Sequence, residues 1–407
     1  MRRTSLKSAR IKETRNASGV GGVQAGELQR TVLMKLRVAT LNVWAMPPPL
    51  AQHVGWRMRR IGDELARLDL DVVAFQEAWM SPARRRLVRE AREAGFEHIW
   101  TNPREPGGGG MVVASRHPIE DTRFTQFALP VAATRVKDLN YFAGRGFVDV
   151  RIHTPEGPLR LVNTHLHSQS RRFRIAQLVE LTGRVEQAQE PLVAVGDFNF
   201  QEGSPEYQIW QGLSGFRDTA VEAGNRQPTV YPGNPMKARD SSRRIDYVFV
   251  RDGADRALIT QDTRRVFDGP LDRRGTPATY SDHAGVLAEL ELGSGRGTSR
   301  WAPDREAAIL AVEYLKKARA RAASRNRTDR MIAGTGILAV LGAAVGIRDP
   351  RISRRKLLSR ALRITALASI PPAAACAVFS AVTHPDELRI YDKMVSRLDR
   401  VAGGDLV

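Results

Sequence analysis

Residues 191–199 read PLVAVGDFN, an apolar run that ends in an aspartate and an asparagine. We predict a buried strand over 191–198, because short continuous apolar runs are typical of strands covered on both faces. Asp197 and Asn199 are two residues apart, so their side chains point the same way at the end of that strand. Oxygen-bearing side chains of this kind suit Mg²⁺ or Mn²⁺ better than zinc.

Strand-like apolar runs alternate with amphipathic helical patterns from residue 35 to about residue 292. The other predicted strands cover 36–44, 71–79, 111–115, 146–153, 159–166, 244–250 and 284–292. Residues 57–68 carry apolar side chains at the three-and-four spacing of a helix face, and 171–187 form a basic amphipathic helix. This interleaving indicates an α/β or α+β fold whose sheets are covered by helices. Polar residues at strand ends then lie at a sheet edge, where clefts form.

Two early strands also end in polar residues. Asn42 closes the first, and Glu77 follows five mostly apolar residues of the second. A buried carboxylate without a partner is costly, so we expect a metal ion or an arginine beside Glu77. Taken alone, Asn42 is more typical of a turn cap, and Glu77 is equally consistent with an exposed acid at a strand end.

A third strand ends in NTHLH, residues 163–167. Strand alternation puts Asn163, His165 and His167 on one face, where neutral imidazoles can meet phosphate or metal. For either histidine taken singly, a structural role is the commoner explanation.

Ser281-Asp282-His283 precedes the last strand. A histidine with an ordinary pKa of about 6.5 can act as a general base, and a neighbouring aspartate can orient an imidazole ring or fix its tautomer. Asp246 lies inside an earlier strand and close to Arg244. An ordinary ion pair explains Asp246 as well as a functional role does.

Six ordered motifs resemble those of the endonuclease/exonuclease/phosphatase superfamily. They are LNVW (41–44), QEAW (76–79), NTHLH (163–167), GDFN (196–199), RIDYVF (244–249) and SDH (281–283). The resemblance extends from residue 36 to about residue 290. It implies a four-layer αββα sandwich, in which two mixed β-sheets are faced by helices and the site lies at the strand ends.

Within that superfamily the sequence is most similar to neutral sphingomyelinases. The similarity rests on four further stretches, WRMRRIGDEL (56–65), GGGGMVVASRHPI (107–119), NYFAGRGF (140–147) and RRGTPATYSDH (273–283). It implies an Mg²⁺-dependent phosphodiesterase, with Mn²⁺ as an alternative ion. Its substrate would be a phospholipid head group, sphingomyelin first, with ceramide and phosphocholine as products.

The resemblance also implies roles for individual residues outside the hydrolytic step. Glu77 would be the principal metal ligand, and Asn42 would help to position metal or phosphate. Arg145 and His167 would bind substrate. Asp246 is a candidate for support behind the site.

The catalytic roles implied by the resemblance fall on five residues. His283 would be the general base, with Asp282 as its orienting partner. His165 would stabilise the phosphoryl oxygens. Asp197 and Asn199 would complete the centre.

Charge and composition leave competing functions open. The formal net charge of +19 favours anionic partners, either nucleic acid or a phospholipid surface. An Mg²⁺-dependent DNA nuclease of the same fold is therefore the second hypothesis, and a non-catalytic membrane-anchored binding protein is the third. The single cysteine, Cys376, excludes an internal disulfide framework.

The 407 residues leave room for one large domain and an appendage. Residues 1–34 are expected to be a disordered basic extension, or Met34 is the real start, and no secretory signal is visible there. Residues 35–293 are the predicted catalytic domain, and 294–330 a linker and a basic helix. Residues 331–407 are expected to form two hydrophobic helices and a polar carboxy-terminal tail.

The two hydrophobic segments carry no charge over 17 residues (331–347) and 19 residues (364–382). Those lengths are at the short end for crossing about 30 Å of hydrocarbon. With their basic flanks they predict a membrane-associated helical hairpin, and the competing interpretation is a buried hairpin packed on the catalytic domain. The chain is thus expected to attach to a phospholipid membrane through its carboxy-terminal part.

Overall fold

The computed structural model describes residues 33–102, 109–129, 144–237, 241–294, 301–348, 351, 355–378, 380–381 and 384–403. Several sequence-based expectations lie outside these residues. They concern the amino-terminal extension over 1–32, the stretches 107–108 and 140–143 of the sphingomyelinase-like segments, and most of the predicted linker, 295–300.

Two mixed six-stranded sheets form the centre of the fold. The first sheet has the order β11-β14-β1-β2-β4-β3, where β1 is Leu33–Asn42, β2 Val72–Gln76, β3 His98–Thr101, β4 Val112–Ser115, β11 Arg256–Val266 and β14 Gly285–Ser294. The second has the order β5-β6-β7-β8-β10-β9, where β5 is Ile119–Gln126, β6 Gly146–Thr154, β7 Gly157–His165, β8 Leu192–Asp197, β9 Arg217–Asp218 and β10 Asp246–Arg251. A small hairpin pairs β12 (Leu271–Arg273) with β13 (Thr276–Ala278).

Helices cover the outer face of each sheet. On the first sheet lie α1 (Val54–Leu65) and α2 (Ser81–Glu93), and on the second lie α3 (Arg171–Val185) and α4 (Pro205–Ser214). A short helix, α5 (Thr219–Glu222), follows β9. The expected αββα sandwich is therefore confirmed.

Alternation along the strands explains the layers. In β1, Leu36 and Val38 point between the two sheets, whereas Ala39 and Leu41 point toward the outer helices. Both faces of the strand are thus buried, because a sheet in a sandwich has one neighbour on each side. This is why the central strands read as nearly continuous apolar runs.

The chain beyond the sandwich adds a further helical layer. Its helices are α6 (Arg305–Arg348), α7 (Lys356–Val378) and α8 (His384–Gly403). The first half of α6 packs on α3 and α4, and α8 packs beside it. Helix α6 continues without a break through the boundary expected at 330/331. Where a polar tail was expected, Tyr391, Met394 and Leu398 form one buried face of α8, at the three-and-four spacing that buries a helix.

We call the second half of α6 together with α7, residues 331–378, the apolar hairpin. Both of its helices are long and apolar enough to cross a membrane, and their most apolar windows are only 11% and 6% buried. A core hairpin packed on the sandwich would be mostly buried, so that competing interpretation does not describe this structure. The two helices approach closely where Gly336 meets Ala373, since a Cβ on Gly336 would lie 2.4 Å from the Cβ of Ala373.

The strand directions bring many polar residues to one end of the sandwich. Strands β1 and β2 run parallel, as do β7 and β8, and all four end there. Strands β10 and β14 are antiparallel to their neighbours and begin there. We call this end of both sheets the polar edge.

Candidate active site

Six of the residues singled out in the sequence lie at the polar edge because of where their strands begin or end. The first sheet places Asn42 at the end of β1, Glu77 just after β2 and His283 just before β14, and the second sheet places His165 at the end of β7, Asp197 at the end of β8 and Asp246 at the start of β10. The motifs are far apart in the sequence, and the two sheets bring them together.

Asn42 connects the two sheets. Its Nδ2 donates to Glu77 Oε1 at 3.1 Å and to Asp197 Oδ2 at 3.1 Å. Its Oδ1 accepts the backbone N–H of Trp44 at 3.0 Å. His165 Nε2 lies 3.6 Å from Glu77 Oε1 and 3.4 Å from Asp197 Oδ2. Asn42 thus holds the two carboxylates in place, next to an imidazole.

His283 pairs with Asp246 rather than with its sequence neighbour. His283 Nδ1 lies 2.9 Å from Asp246 Oδ2, and both side chains are buried. Asp282 instead accepts a hydrogen bond from Lys237 Nζ at 2.7 Å. The two residues form a bend before β14, in which Lys237 binds the carboxylate of Asp282 and Asp246 binds the ring of His283. The contact expected of Asp282 is made by Asp246, which the sequence suggested only as a supporting residue.

The charges at the polar edge shift the pKa of several groups. Burial alone would lower the pKa of His283, but the carboxylates of Asp246, Asp282 and Asp197 together raise it to about 10. Burial, reinforced by the negative charges of Asp246 and Glu77, raises the pKa of Asp197 to about 7. Burial also raises the pKa of Glu77, reinforced by Asp282. Negative charge is therefore concentrated here at a cost that a cation would reduce.

Positive charge from Arg145 acts on the same group of residues. Its Nη1 donates to the backbone oxygens of Leu166 and His165, and the side chain is buried. Burial lowers the pKa of His165 well below its usual value, and the charge of Arg145 lowers it further. His165 is thus a neutral imidazole at neutral pH. The same guanidinium lowers the pKa of Glu77, against the effect of burial.

Asn199 and His167 shape the chain beside the polar edge. Asn199 Nδ2 donates to the carbonyl of Leu166 at 3.1 Å, and its backbone N–H donates to Asp197 Oδ1 at 3.0 Å. His167 Nδ1 accepts the backbone N–H groups of Gln169 and Ser170, each at 3.1 Å. These contacts order the segment between β7 and α3. A role for His167 in substrate binding stays a prediction.

Left-handed backbone occurs at two site residues that are not glycine. Glu77 has φ 60° and Asn199 has φ 54°. Such conformations cost roughly 1–3 kcal/mol each and concentrate at functional sites. Gly196, beside Asp197, has φ 135°, and a Cβ there would lie 1.9 Å from the carbonyl oxygen of Thr164. Only glycine allows β8 to approach β7 so closely at this point.

Sequence reasoning missed Arg57, which organises the polar edge from α1. The buried guanidinium donates to the carbonyls of Val43 at 2.7 Å, Trp44 at 2.8 Å and Tyr280 at 2.9 Å. It thereby joins the segment after β1 to the segment before β14. A signal was present, because Arg57 lies four residues before Ile61 on the apolar face of its helix. Lys237, the partner of Asp282, gave no comparable signal.

The donor set fits a divalent cation. Glu77, Asp197 and Asp246 all offer carboxylate oxygens, the ligands that Mg²⁺ and Mn²⁺ prefer. Ligand atoms of Asp197, Asp246 and His283 lie within 4.8 Å of one another. Since His283 Nδ1 and Asp246 Oδ2 bond each other, the oxygens of Glu77 and Asp197 and the second oxygen of Asp246 are the better donors. That second oxygen, Oδ1, is buried and has no hydrogen-bond partner among the described residues.

The chain belongs to the Endonuclease/Exonuclease/phosphatase family, whose sequence model matches residues 39–283, more than half of the chain. Among its relatives, a Drosophila melanogaster protein provisionally named a neutral sphingomyelinase is 26% identical over 279 residues, 64% of this chain and 62% of that protein. Human sphingomyelin phosphodiesterase 2 is 26% identical over 291 residues, 63% of this chain and 64% of that protein. The similarity to these two relatives thus spans less than two thirds of their length.

A solved structure supports the fold. The crystal structure of Danio rerio TDP2 complexed with single-strand DNA product is similar with a TM-score of 0.52 and 19% identity, over 63% of this chain and 98% of that one. At this identity the likeness shows a shared fold. The family assignment made from the six motifs is confirmed by the family match.

Proposed function

We propose that the chain is a metal-dependent phosphodiesterase that hydrolyses the head-group diester of a membrane phospholipid. Sphingomyelin is the first choice of substrate, with ceramide and phosphocholine as products. The observation that carries this proposal is the buried His283–Asp246 pair, placed beside the carboxylates of Glu77 and Asp197. A base, an oriented partner and a cation-binding group of oxygens are the parts that diester hydrolysis needs.

His283 is the general base in this proposal. Asp246 accepts the hydrogen bond from Nδ1, which fixes the ring orientation and leaves Nε2 to take a proton from the attacking water. The roles proposed for Asp282 and Asp246 are therefore exchanged relative to the sequence-based expectation. Asp282, paired with Lys237, contributes negative charge rather than a direct contact with the ring.

The remaining residues act on the phosphoryl group. His165 is proposed to donate a hydrogen bond to a phosphoryl oxygen, and Arg145 adds positive charge behind it. Glu77 is proposed as the principal holder of Mg²⁺, with Asn42 keeping its carboxylate beside that of Asp197. A bound Mg²⁺ would supply Lewis acidity and, by neutralising these carboxylates, would allow His283 to release its proton.

Two observations favour a lipid over other diesters. The apolar hairpin gives the chain a means of residing at a phospholipid surface. The relatives from fly and human are named for sphingomyelin hydrolysis. A nuclease of the same fold is the second candidate, favoured by the net charge of +19 and by the shared fold with a protein crystallised with DNA. A non-catalytic binding protein is less consistent with the arranged base and carboxylates.

A substrate panel tests this proposal directly. The purified full-length chain is given sphingomyelin, phosphatidylcholine, lysophospholipids, inositol phosphates and plasmid DNA, each with Mg²⁺ and with chelator. We expect Mg²⁺-dependent release of phosphocholine from sphingomyelin at the highest rate. Preferential cleavage of DNA would reject the lipid assignment, and equal rates with chelator would reject the metal.

A further inference from the structure

The apolar hairpin and the polar edge lie at the same end of the molecule, as the path of α6 shows. Helix α6 begins at the opposite end of the sandwich. There Trp301, just before the helix, packs against the guanidinium of Arg251, 5.1 Å from the ring centre, and Arg251 is the last residue of β10. Since β10 begins at the polar edge with Asp246, its last residue is at the far end.

Helix α8 confirms the direction of α6 by running antiparallel to it. Arg305 at the start of α6 donates to the carbonyl of Ala402 at 2.8 Å, and Arg325 donates to Glu387 at 2.7 Å. At 1.5 Å per residue these 20 residues of α6 cover about 30 Å, enough to pass along the sandwich from one end to the other.

Contacts with α3 place Arg325 near the polar edge. Helix α3 starts just after His165 and its neighbours at the polar edge and ends at the far end of the sandwich. Arg397 of α8 donates to the carbonyl of Val179, in the second half of α3. In the first half of α8, Tyr391 is buried in one cluster with Phe173 of α3; burial raises the pKa of Tyr391, and the charges of Arg172 and Arg325 oppose the rise. Arg172 is in the first turn of α3, so this group of residues lies at the polar edge.

The remainder of α6 therefore extends beyond the polar edge. Residues 331–348 add about 25 Å of helix in the same direction, and α7 returns along them. Twelve of the sixteen exposed large hydrophobic side chains of the described residues belong to this hairpin. Exposed arginines at its base, Arg321, Arg327 and Arg330, provide positive charge where anionic head groups would lie.

A second observation, independent of the hairpin, points to the same end. Two of the other four exposed large hydrophobic side chains are Leu50, 47% exposed, and Met80, 38% exposed. Both lie in segments that directly follow strands ending at the polar edge, Leu50 after β1 and Met80 after β2. The remaining two, Ile259 in β11 and Ile309 in the first turns of α6, lie away from that edge.

We propose that the polar edge faces the bilayer in which the apolar hairpin inserts, so that the substrate is drawn from the leaflet next to the hairpin. Both ends of the hairpin return to the sandwich, through α6 on one side and α8 on the other, so the catalytic domain stays on one side of the membrane. Leu50 and Met80 touch the lipid surface beside the site. This orientation rests on the proposed function only in naming a lipid as the substrate.

Depth measurements test the orientation without relying on activity. Full-length Met80→Cys and its matched control Ile259→Cys are prepared with Cys376→Ala, labelled with a fluorophore and bound to vesicles of phosphatidylcholine, phosphatidylglycerol and sphingomyelin. Lipids that carry a quencher in the head-group region are expected to quench the label at position 80 strongly and that at position 259 weakly. Equal quenching at both positions, or failure of the chain to bind vesicles, would overturn the proposal.

Rate measurements give a second readout. The double variant Leu50→Asp/Met80→Asp is compared with the double variant Ile259→Asp/Ile309→Asp, whose two positions are similarly exposed but lie away from the polar edge. Aspartate at position 80 also suits the start of α2, so folding should be preserved. We expect the first pair to lower the rate of hydrolysis of vesicle sphingomyelin about tenfold and to leave the rate of hydrolysis of the soluble diester bis(p-nitrophenyl) phosphate unchanged.

Equal rates of vesicle hydrolysis for both pairs of substitutions would contradict the orientation. If no diester is hydrolysed by the parent chain while the quenching pattern holds, the proposed function fails and the orientation stands.

Discussion

The polar edge and the apolar hairpin depart from ordinary burial in opposite directions. At the polar edge, the charged or titratable side chains of Asp197, Asp246 and His283 are buried, and that of Glu77 is only 17% exposed. In the hairpin, side chains such as Leu338, 68% exposed, are apolar and face outward. Buried charge is costly without compensating charge, and extended exposed apolar surface is costly in water. The first region therefore suits a bound cation, and the second suits the apolar interior of a membrane.

The two regions also differ in how a substitution should act. At the polar edge a change should alter chemistry and metal binding and leave membrane binding nearly untouched. In the hairpin a change should alter membrane binding and leave chemistry untouched. If one substitution disturbed both properties, the separation of the two regions would be refuted.

The largest effect is expected for the proposed base. His283→Ala should lower the turnover of a soluble diester by about 10³-fold, because the proton of the attacking water loses its acceptor. Steady-state rates are compared with those of His153→Ala, which removes a histidine 56% exposed on β6. Circular dichroism should show both variants folded. Full turnover by folded His283→Ala would remove this residue from the mechanism.

A charge in the middle of the hairpin is expected to act on membrane binding. Leu338→Asp should weaken partition into vesicles by roughly 3 kcal/mol, the cost of an aspartate near the centre of a membrane helix. Sedimentation with vesicles measures this, and Leu338→Ile is the matched control. Turnover of a soluble diester should stay the same. Unchanged vesicle binding would show that this part of α6 does not enter the bilayer.

Metal binding should stabilise the folded chain through Glu77. Mg²⁺ at 100 times its Kd should add about 2.7 kcal/mol to the free energy of unfolding, since it binds the folded state alone. Glu77→Ala should lose that increment and most activity, whereas Glu93→Ala, 65% exposed in α2, should keep both. Thermal unfolding with Mg²⁺ and with chelator gives the comparison. An undiminished Mg²⁺ effect in Glu77→Ala would place the ion elsewhere.

The smallest effect separates the two candidate partners of the base. Asp246→Asn should lower the maximal rate about 10- to 100-fold, as the loss of an orienting hydrogen bond commonly does. It should also shift the rising limb of the pH–rate profile to lower pH, because the reaction needs the neutral ring and Asp246 raises the pKa of His283. Asp282→Asn also removes one negative charge, but Asp282 raises the pKa of His283 less than Asp246 does and binds Lys237 rather than the ring. A larger loss of rate in Asp282→Asn would restore the partner expected from the sequence.

Local pattern was sufficient to predict much of the fold. The strand expected over 191–198 is β8, and the helix expected over 171–187 is α3, with ends shifted by one or two residues. Helix α2 was not predicted, because its buried face is small, Ala83, Leu87 and Ala91, amid a run of arginines. The three side chains recur at a regular four-residue spacing, but two of them are alanine, so the apolar face is easily overlooked; packing against the first sheet stabilises the helix.

Sequence order gave the residues of the site but not their pairing. The family and its sandwich follow from six short motifs, because each motif joins a buried strand to a polar end and such patterns are local. The partner of His283 depends on how β10 and β14 lie beside β8 and β1, which no local pattern specifies. The buried contacts of Arg57, up to 223 residues apart in the chain, are of the same kind.

The sequence alone also determined that two apolar segments follow the catalytic domain, since length and hydropathy are properties of the chain itself. It did not specify at which end of the sandwich these segments leave the catalytic domain. Only the tertiary structure decided it, because the docking of α6 and α8 on α3 fixes where the helix leaves the sandwich. The polar end of PLVAVGDFN and the apolar hairpin thus lie at one end of the molecule through packing between segments more than 100 residues apart.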